Sequence, residues 1–206
     1  MGKRRKNTLF DTIAPVYSLF YSKQRASFAR VLGRVGRRLD LSAYGTALDV
    51  GCGPGALCSI LKGIGLEVTG IDPAVKMLDA AKKRPENEGI RFLQASVLAG
   101  LPFPDRHFDL SFASYVAHGL QKEERRLMYL EMARVTRHLV IIHDFNKNRG
   151  LLTSFIEWLE RGDYFRFINV AEDEMRDCVS DMKACFSEVM VIQVDTRASW
   201  YVCTPK

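Results

Sequence analysis

Short apolar runs alternate with amphipathic stretches from about residue 45 onward. The amphipathic stretches predict helices at about 55–64, 74–84 and 122–136, with two more at 149–161 and 171–184. The apolar runs predict strands at 46–50, 66–71, 90–95, 108–113, 138–144, 187–195 and 199–203. Strands that alternate with helices are typical of a parallel sheet covered by helices on both faces. The pattern therefore predicts an α/β fold.

The segment before the first strand follows a different pattern. Residues 8–39 are predicted to be largely helical, and residues 45–206 are predicted to form the sheet and its helices. A chain of 206 residues with 47% hydrophobic content can bury a full core. We therefore expect residues 1–206 to form a single domain.

The turn after the first predicted strand carries the strongest chemical signal. Residues 49–55 read D-V-G-C-G-P-G, and Asp72 closes the second predicted strand. Glycines let the main chain approach a ligand closely, and the start of the next helix offers N–H groups to an anion. Asp72 lies 21 positions after Gly51, near the spacing at which such a carboxylate accepts hydrogen bonds from ribose hydroxyls. These features predict a site for a cofactor that contains adenosine.

The spacing of the glycines distinguishes between cofactors. A nicotinamide or flavin site would have the pattern G-x-G-x-x-G, whereas this chain has G-x-G-x-G preceded by Asp49. A diphosphate repels a nearby carboxylate, but a ligand with sulfonium and ammonium groups tolerates or attracts one. S-adenosylmethionine is such a ligand. The alternative is a tight strand-to-helix turn that binds no ligand.

This turn resembles motif I of the class I S-adenosylmethionine-dependent methyltransferases, (L/V)-(L/D)-(D/E)-x-G-x-G-x-G. The resemblance runs from residue 8 to about residue 145. It implies a seven-stranded Rossmann-like methyltransferase sheet, mostly parallel with an antiparallel last strand and with helices on both faces. It also implies S-adenosyl-L-methionine as cofactor and S-adenosyl-L-homocysteine as product. The predicted strands 187–195 and 199–203, separated only by a turn, match the final hairpin of that sheet.

A second resemblance lies in the N-terminal segment. Residues 10–17 read F-D-T-I-A-P-V-Y, similar to the F-D-x-I-A-x-x-Y-D stretch of ubiquinone/menaquinone C-methyltransferases, with Ser18 in place of the final Asp. In that group the segment is part of a lid over the cofactor pocket, and Tyr17 would lie near the methionine end. Alternatively, Phe10, Ile13 and Tyr17 are the apolar stripe of a docked helix.

The resemblance also suggests how the adenine would be bound. Pro73 is expected to open the helix after Asp72, and Met77 either packs against the adenine or is plain core. Family members usually carry an adenine-binding Asp after the third strand, where this chain has Ser96 or Val97, so the backbone there is the expected substitute. The predicted cofactor-binding residues are Tyr17, Asp49, Gly51, Cys52, Gly53, Gly55, Asp72, Pro73, Met77, Ala95, Ser96, Val97 and Ser114.

Two residues after the fourth and fifth strands are candidates for catalysis, because ligands bind beyond the carboxyl ends of parallel strands. His118 is the predicted general base, since histidine titrates near neutral pH; the alternative is a histidine that caps a turn or shapes the pocket. Asp144 is predicted to face the acceptor, and the alternative is a carboxylate that closes a turn with Asn146. Strand alternation points His143 and Asp144 in opposite directions.

Aromatic residues after the fifth strand suggest where the acceptor is recognised. Residues 146–170 form a candidate substrate-recognition insertion, with Tyr164, Phe165 and Phe167 as a possible lid over a flat acceptor. We therefore expect a methyltransferase that acts on a small molecule, with a quinone-like or other apolar ring compound as acceptor. The alternatives are an RNA or protein methyltransferase and a non-catalytic module that only binds the cofactor.

Composition limits the partners. The net charge is +6, with a pI near 9.1, and part of it comes from the terminal run at residues 3–6. Five further arginines lie on or near the N-terminal helix: Arg25, Arg30, Arg34, Arg37 and Arg38. They are interpreted as a solvated helix face, and nucleic acid is the less favoured partner. The oligomeric state is left open.

The remaining composition is typical of a cytoplasmic protein. No apolar stretch approaches the length of a membrane span, and the basic N-terminus lacks the apolar region of a signal peptide. The five cysteines include no C-x-x-C pair, so reduced thiols are expected and a zinc site is not.

Overall fold

The computed structural model describes residues 20–145, 178–196 and 198–206. Four helices are resolved here as α1 (Tyr21–Val35), α2 (Ala56–Gly63), α3 (Val75–Lys82) and α4 (Lys122–Val135), and residues 178–185 are also helical. The strands are β1 (Thr46–Val50), β2 (Glu67–Asp72), β3 (Arg91–Gln94), β4 (Phe108–Ser114), β5 (Thr136–Phe145), β6 (Glu188–Gln193) and β7 (Ala198–Thr204). All seven predicted strands are present, with boundaries that differ by two residues or fewer.

The seven strands form one sheet in the order β3-β2-β1-β4-β5-β7-β6. The pairs β1–β2, β1–β4, β2–β3 and β4–β5 are parallel, whereas β7 is antiparallel to both β5 and β6. The predicted methyltransferase sheet with an antiparallel last strand is therefore confirmed. The order of the strands reverses between β1 and β4, and in open α/β sheets ligands bind at such a switch point.

Side chains of each strand alternate between two cores because successive residues point to opposite faces of the sheet. One core contains Ile141 and packs beneath α1 and α2 through residues such as Val31 and Leu57. The other contains Ile142 and packs beneath α4 through Met128. The neighbours Ile141 and Ile142 thus identify the face on which any other β5 side chain lies.

One sequence prediction about this scaffold is wrong, and others concern residues that the structure does not describe. Helix α3 begins at Val75, with Ala74 in extended conformation, so Pro73 belongs to the preceding turn and does not open the helix. Tyr17, the rest of the predicted lid before residue 20, and the candidate insertion 146–170 lie outside the described residues. Within the described ranges, every helix is too short or too polar to cross a membrane.

Candidate functional site

The three glycines after β1 have different roles. All have positive φ, at 70° for Gly51, 52° for Gly53 and 80° for Gly55. A Cβ on Gly51 would lie 2.7 Å from Val116 Cγ2, and one on Gly55 would lie 2.4 Å from Asn87 Nδ2, whereas one on Gly53 would meet nothing within 4 Å. Gly51 and Gly55 therefore allow the turn to pack against its neighbours, and Gly53 leaves the space that a ligand needs.

Asp72 fixes the open part of this turn. Its Oδ2 accepts a hydrogen bond from the backbone N–H of Gly53 (2.9 Å), and its Oδ1 accepts one from the backbone N–H of Ala74 (2.8 Å). The two bonds hold the predicted ribose-binding carboxylate beside the backbone of the glycine turn.

The side chain of Asn87 holds the glycine turn through hydrogen bonds. The buried amide Nδ2 donates to the carbonyl oxygens of Pro54 (3.1 Å) and Ala81 (2.9 Å), and Oδ1 accepts from the hydroxyl of Tyr21 (3.3 Å). Asn87 thus joins the glycine turn to α3 and α1. Sequence reasoning missed it because Pro54 and Tyr21 lie 33 and 66 positions away, and no local motif marks such an asparagine.

Asp49 and Cys52 point into the protein. Asp49 Oδ2 accepts a hydrogen bond from the Cys58 thiol (3.1 Å). Burial raises the pKa of Asp49 to about 7, and the nearby Asp72 carboxylate adds to the shift. Burial likewise raises the pKa of Cys52 to about 11. Asp49 therefore lies beside the turn and affects it through its charge. For Cys52, only the backbone is available for contact with a cofactor.

The predicted adenine-binding residues divide into core and surface. Met77 and Val97 are buried, and Val97 packs in the core beneath α4. Ala95 and Ser96 are half-buried at the end of β3, and the Ala95 N–H donates weakly to the Asp72 carbonyl (3.4 Å). Of residues 95–97, Ser96 is the half-buried one with a polar side chain.

His118 and Asp144 form a pair at the ends of β4 and β5. His118 Nδ1 lies 3.0 Å from Asp144 Oδ1, and the His118 backbone N–H donates to Asp144 Oδ2 (3.1 Å). The Phe145 N–H also donates to Asp144 Oδ1 (2.8 Å). Burial alone would raise the pKa of Asp144, but the His118 ring and these hydrogen bonds hold it below its ordinary value.

The structure shows a contact of Asp144 that the sequence did not predict. Its side chain is 0% exposed and contacts His118, which is 20% exposed. The predicted turn with Asn146 lies outside the described residues, and the predicted role of Asp144 toward an acceptor stays a prediction. The contact with His118 joins two residues 26 positions apart, so the sequence does not reveal it.

Aromatic rings surround this pair. Tyr115 has a φ of 57°, which is strained for a bulky residue, and it is 42% exposed. Its ring centroid lies 4.8 Å from that of His143 and 5.1 Å from that of Phe145, and the Phe145 centroid is 5.0 Å from that of His118. Ser114 precedes Tyr115 at the end of β4. The carboxyl ends of β4 and β5 thus present an aromatic surface beside the histidine.

Comparisons with known proteins agree with this fold. A family described as "Methyltransferase domain" matches residues 48–142, from β1 to β5. A demethylmenaquinone methyltransferase of Thermus thermophilus is 41% identical over 108 residues, which cover 49% of this chain and 48% of the relative. A malonyl-[acyl-carrier protein] O-methyltransferase of Pseudescherichia vulneris is 30% identical over 114 residues, or 55% of this chain and 43% of the relative.

A solved structure extends the likeness to nearly the whole fold. A protein of Methanococcus maripaludis, assigned as an S-adenosyl-L-methionine-dependent methyltransferase, superposes with a TM-score of 0.70 at 18% identity, over 95% of this chain and 93% of that one. Residues 48–142, which include the glycine turn, thus resemble a methyltransferase domain, and the whole sheet has the fold of the solved methyltransferase. The predicted cofactor, S-adenosylmethionine, agrees with these likenesses. The chain spans about half the length, or less, of the curated relatives that it matches.

Proposed function

We propose that this chain transfers a methyl group from S-adenosylmethionine to a small molecule that loses a proton in the reaction, and that the acceptor is a ring compound of the quinol or phenol type. The observation that carries the proposal is the His118–Asp144 pair. It stands at the ends of β4 and β5, and β4 is the neighbour of the strand that leads into the glycine turn. The adjacency of β1 and β4 supports a donor held at the turn and a base at the ends of β4 and β5 that act on one acceptor.

The residues of the turn suit the cofactor. A Cβ at position 53 would meet nothing within 4 Å, so a ligand can approach the backbone there, and the Asp72 carboxylate beside it is the proposed acceptor for ribose hydroxyls. Ser96 is the side-chain candidate for the adenine. When bound, S-adenosylmethionine supplies an electrophilic methyl group on a sulfonium whose thioether leaves as a neutral group. The protein must therefore align the acceptor, exclude water and accept a proton.

His118 is the group assigned to the proton. The pKa of Asp144 lies below its ordinary value, so the ionised carboxylate accepts a hydrogen bond that the His118 ring donates from Nδ1. In the neutral form of the ring, which is the form that acts as a base, the lone pair is at Nε2. As the acceptor atom forms its bond to the methyl carbon, Nε2 takes the proton, and the Asp144 charge stabilises the imidazolium that results.

Two observations support a ring compound as acceptor. Tyr115 and Phe145 lie beside His118, and aromatic surfaces favour flat apolar ligands. The Thermus thermophilus relative, matched over about half its length, is named for demethylmenaquinone. The Pseudescherichia vulneris relative is named for a carboxyl acceptor on a carrier protein, so carboxylates belong in the same test.

Transfer of radiolabelled methyl groups by the purified full chain tests the proposal. Naphthoquinols and phenols are expected to be labelled, with carboxylic acids, amines, RNA and protein as comparison acceptors. Labelling of RNA or protein alone would replace the small-molecule proposal. Tight binding of the cofactor with no transfer to any acceptor would favour a non-catalytic module. Binding of NADH in place of the cofactor would contradict the methyltransferase assignment.

A further inference from the structure

Three polar side chains lie side by side across three neighbouring strands, and we call them the polar row. Ser114 of β4 is the register partner of His143 of β5, and His143 is the register partner of Trp200 of β7. Register partners in a sheet point to the same face. Since Phe112 and Trp200 belong to the core beneath α1, the polar row lies on that face, opposite Asp144.

The groups of the polar row lack hydrogen-bond partners among the described residues. The orphaned atoms are Ser114 Oγ, both ring nitrogens of His143 and Trp200 Nε1. His143 is 3% exposed and Trp200 is 1% exposed, so solvent cannot satisfy them. A buried polar group without a partner costs about 1–3 kcal/mol, and native proteins leave few of them. Three adjacent examples indicate a ligand that supplies the missing partners.

The polar row begins beside the cofactor turn. Ala113 is the register partner of Val50, so Ser114 is level with Gly51 at the start of the turn. From there the row runs through His143 to Trp200, away from the turn and along the carboxyl ends of the parallel strands. A ligand on the row would therefore lie next to a cofactor held at the turn.

The chemistry of the polar row selects an uncharged oxygen-bearing ring. Trp200 donates only, whereas Ser114 and a neutral histidine can both donate and accept. Burial lowers the pKa of His143 to about 4, although Asp144 and Asp195 oppose the shift, so the ring is neutral at pH 7. Aromatic rings flank it, with the Phe28 centroid 5.7 Å and the Tyr115 centroid 4.8 Å from that of His143. Walls of this kind suit a flat apolar body.

We propose that the polar row Ser114–His143–Trp200 binds the ring oxygen of the methyl acceptor and so determines specificity for phenol-like or quinone-like compounds over the parent hydrocarbons. This inference rests on the proposed function for the identity of the ligand as acceptor. It assigns the three side chains to recognition and leaves the proton to His118.

A pair of probes that differ by one hydroxyl tests the polar row. Binding of 2-naphthol and of naphthalene is measured by fluorescence on protein saturated with S-adenosylhomocysteine. The wild type is expected to prefer 2-naphthol by about tenfold or more, the value of one net hydrogen bond of about 1.4 kcal/mol. His143→Phe and Ser114→Ala are expected to reduce the preference to within about twofold.

Stability provides the second readout, because removal of an unpaired buried polar group costs the free protein little. His143→Phe and Ser114→Ala are expected to leave the melting temperature unchanged or to raise it. Ser111→Ala is the matched control on the same strand, since Ser111 Oγ accepts a hydrogen bond from Thr136 Oγ1 (2.7 Å). That variant is expected to lower the melting temperature and to keep the preference for 2-naphthol.

The outcomes separate this inference from the proposed function. Equal affinity of the wild type for the two probes, or no binding of either, overturns the inference, as does a preference that survives in both variants. Neither measurement requires turnover, so the preference can be present even if no acceptor is methylated. If S-adenosylhomocysteine does not bind, the proposed function fails. The affinities for 2-naphthol and naphthalene can then still be compared on the protein without S-adenosylhomocysteine.

Discussion

The glycine turn and the polar row differ in how their buried polar groups are satisfied. At the turn, Asp72 and Asn87 make hydrogen bonds to the backbone. In the polar row, His143 and Trp200 are buried without partners among the residues that the structure describes. The protein itself therefore holds the turn in place, whereas in our proposal the acceptor supplies the partners of the polar row. At the turn, the hydrogen bonds that shape the site for a ligand also stabilise the fold. In the polar row, the polar groups that would bind a ligand lower the stability of the free protein.

The largest expected effect is the loss of kcat when the proposed base, His118, is replaced. His118→Ala should lower kcat by about 10²–10⁴-fold, the usual contribution of a general base, and leave the Kd for S-adenosylhomocysteine within about twofold. Steady-state kinetics and calorimetry measure the two quantities. His138→Ala is the control, because His138 is an exposed histidine at the opposite end of β5. A kcat within about threefold of the wild type would remove the base role.

The free energy of unfolding should depend on pH with opposite signs for Asp49, beside the glycine turn, and for His143, in the polar row. Asp49 has a folded pKa of about 7, above its ordinary value of 3.8, so its contribution to stability is present below pH 3.8 and is lost as the pH rises through 7. His143 has a folded pKa of about 4, below 6.5, so its contribution is present above pH 6.5 and is lost as the pH falls through 4. Over its full range the effect is expected to reach about 4 kcal/mol for Asp49 and about 3 kcal/mol for His143.

Urea unfolding between pH 5 and pH 7.5 measures these contributions. Relative to the wild type, Asp49→Asn should gain stability as the pH rises, and His143→Phe should gain stability as it falls. Parallel pH profiles for the wild type and both variants would show that neither group titrates in this way.

Two alanine substitutions in the turn should separate packing from binding. An alanine at position 55 meets Asn87 and Phe92 at a φ of 80°, so Gly55→Ala should lower the free energy of unfolding by about 2–3 kcal/mol. At position 53 nothing lies within 4 Å, so Gly53→Ala should cost about 1 kcal/mol of stability while it weakens cofactor binding. Urea unfolding and calorimetry test the contrast. Equal loss of stability in both would contradict the separate roles of the two glycines.

A smaller effect is expected from the carboxylate beneath the turn. Asp72→Ala should weaken cofactor binding by about 1–3 kcal/mol, through the lost hydrogen bonds to the ribose and to the Gly53 N–H. Asp79→Ala, which removes an exposed carboxylate from α3, is the matched control. Isothermal titration with S-adenosylhomocysteine gives the Kd of each variant. An unchanged Kd in Asp72→Ala would remove this residue from the site.

Local sequence patterns were sufficient for the sheet and for the cofactor turn. Strand periodicity and flanking turns depend on neighbours a few positions away, so β1 to β7 and the segment from Asp49 to Gly55 could be predicted from the chain alone. The nature of the cofactor followed because glycine spacing and a strand-end carboxylate are also local features. Met77 shows the limit, since helical spacing cannot distinguish a core residue from one that contacts a ligand.

Tertiary structure alone decided which polar groups meet. His118 lies 26 positions from Asp144, and Asn87 lies 66 positions from Tyr21, so no periodicity connects them. The polar row depends on the order and register of β4, β5 and β7, in which a shift of one residue would turn each side chain to the opposite face. Sequence determined the elements because their formation is local, whereas the pairing of strands determined the chemistry because it joins distant residues.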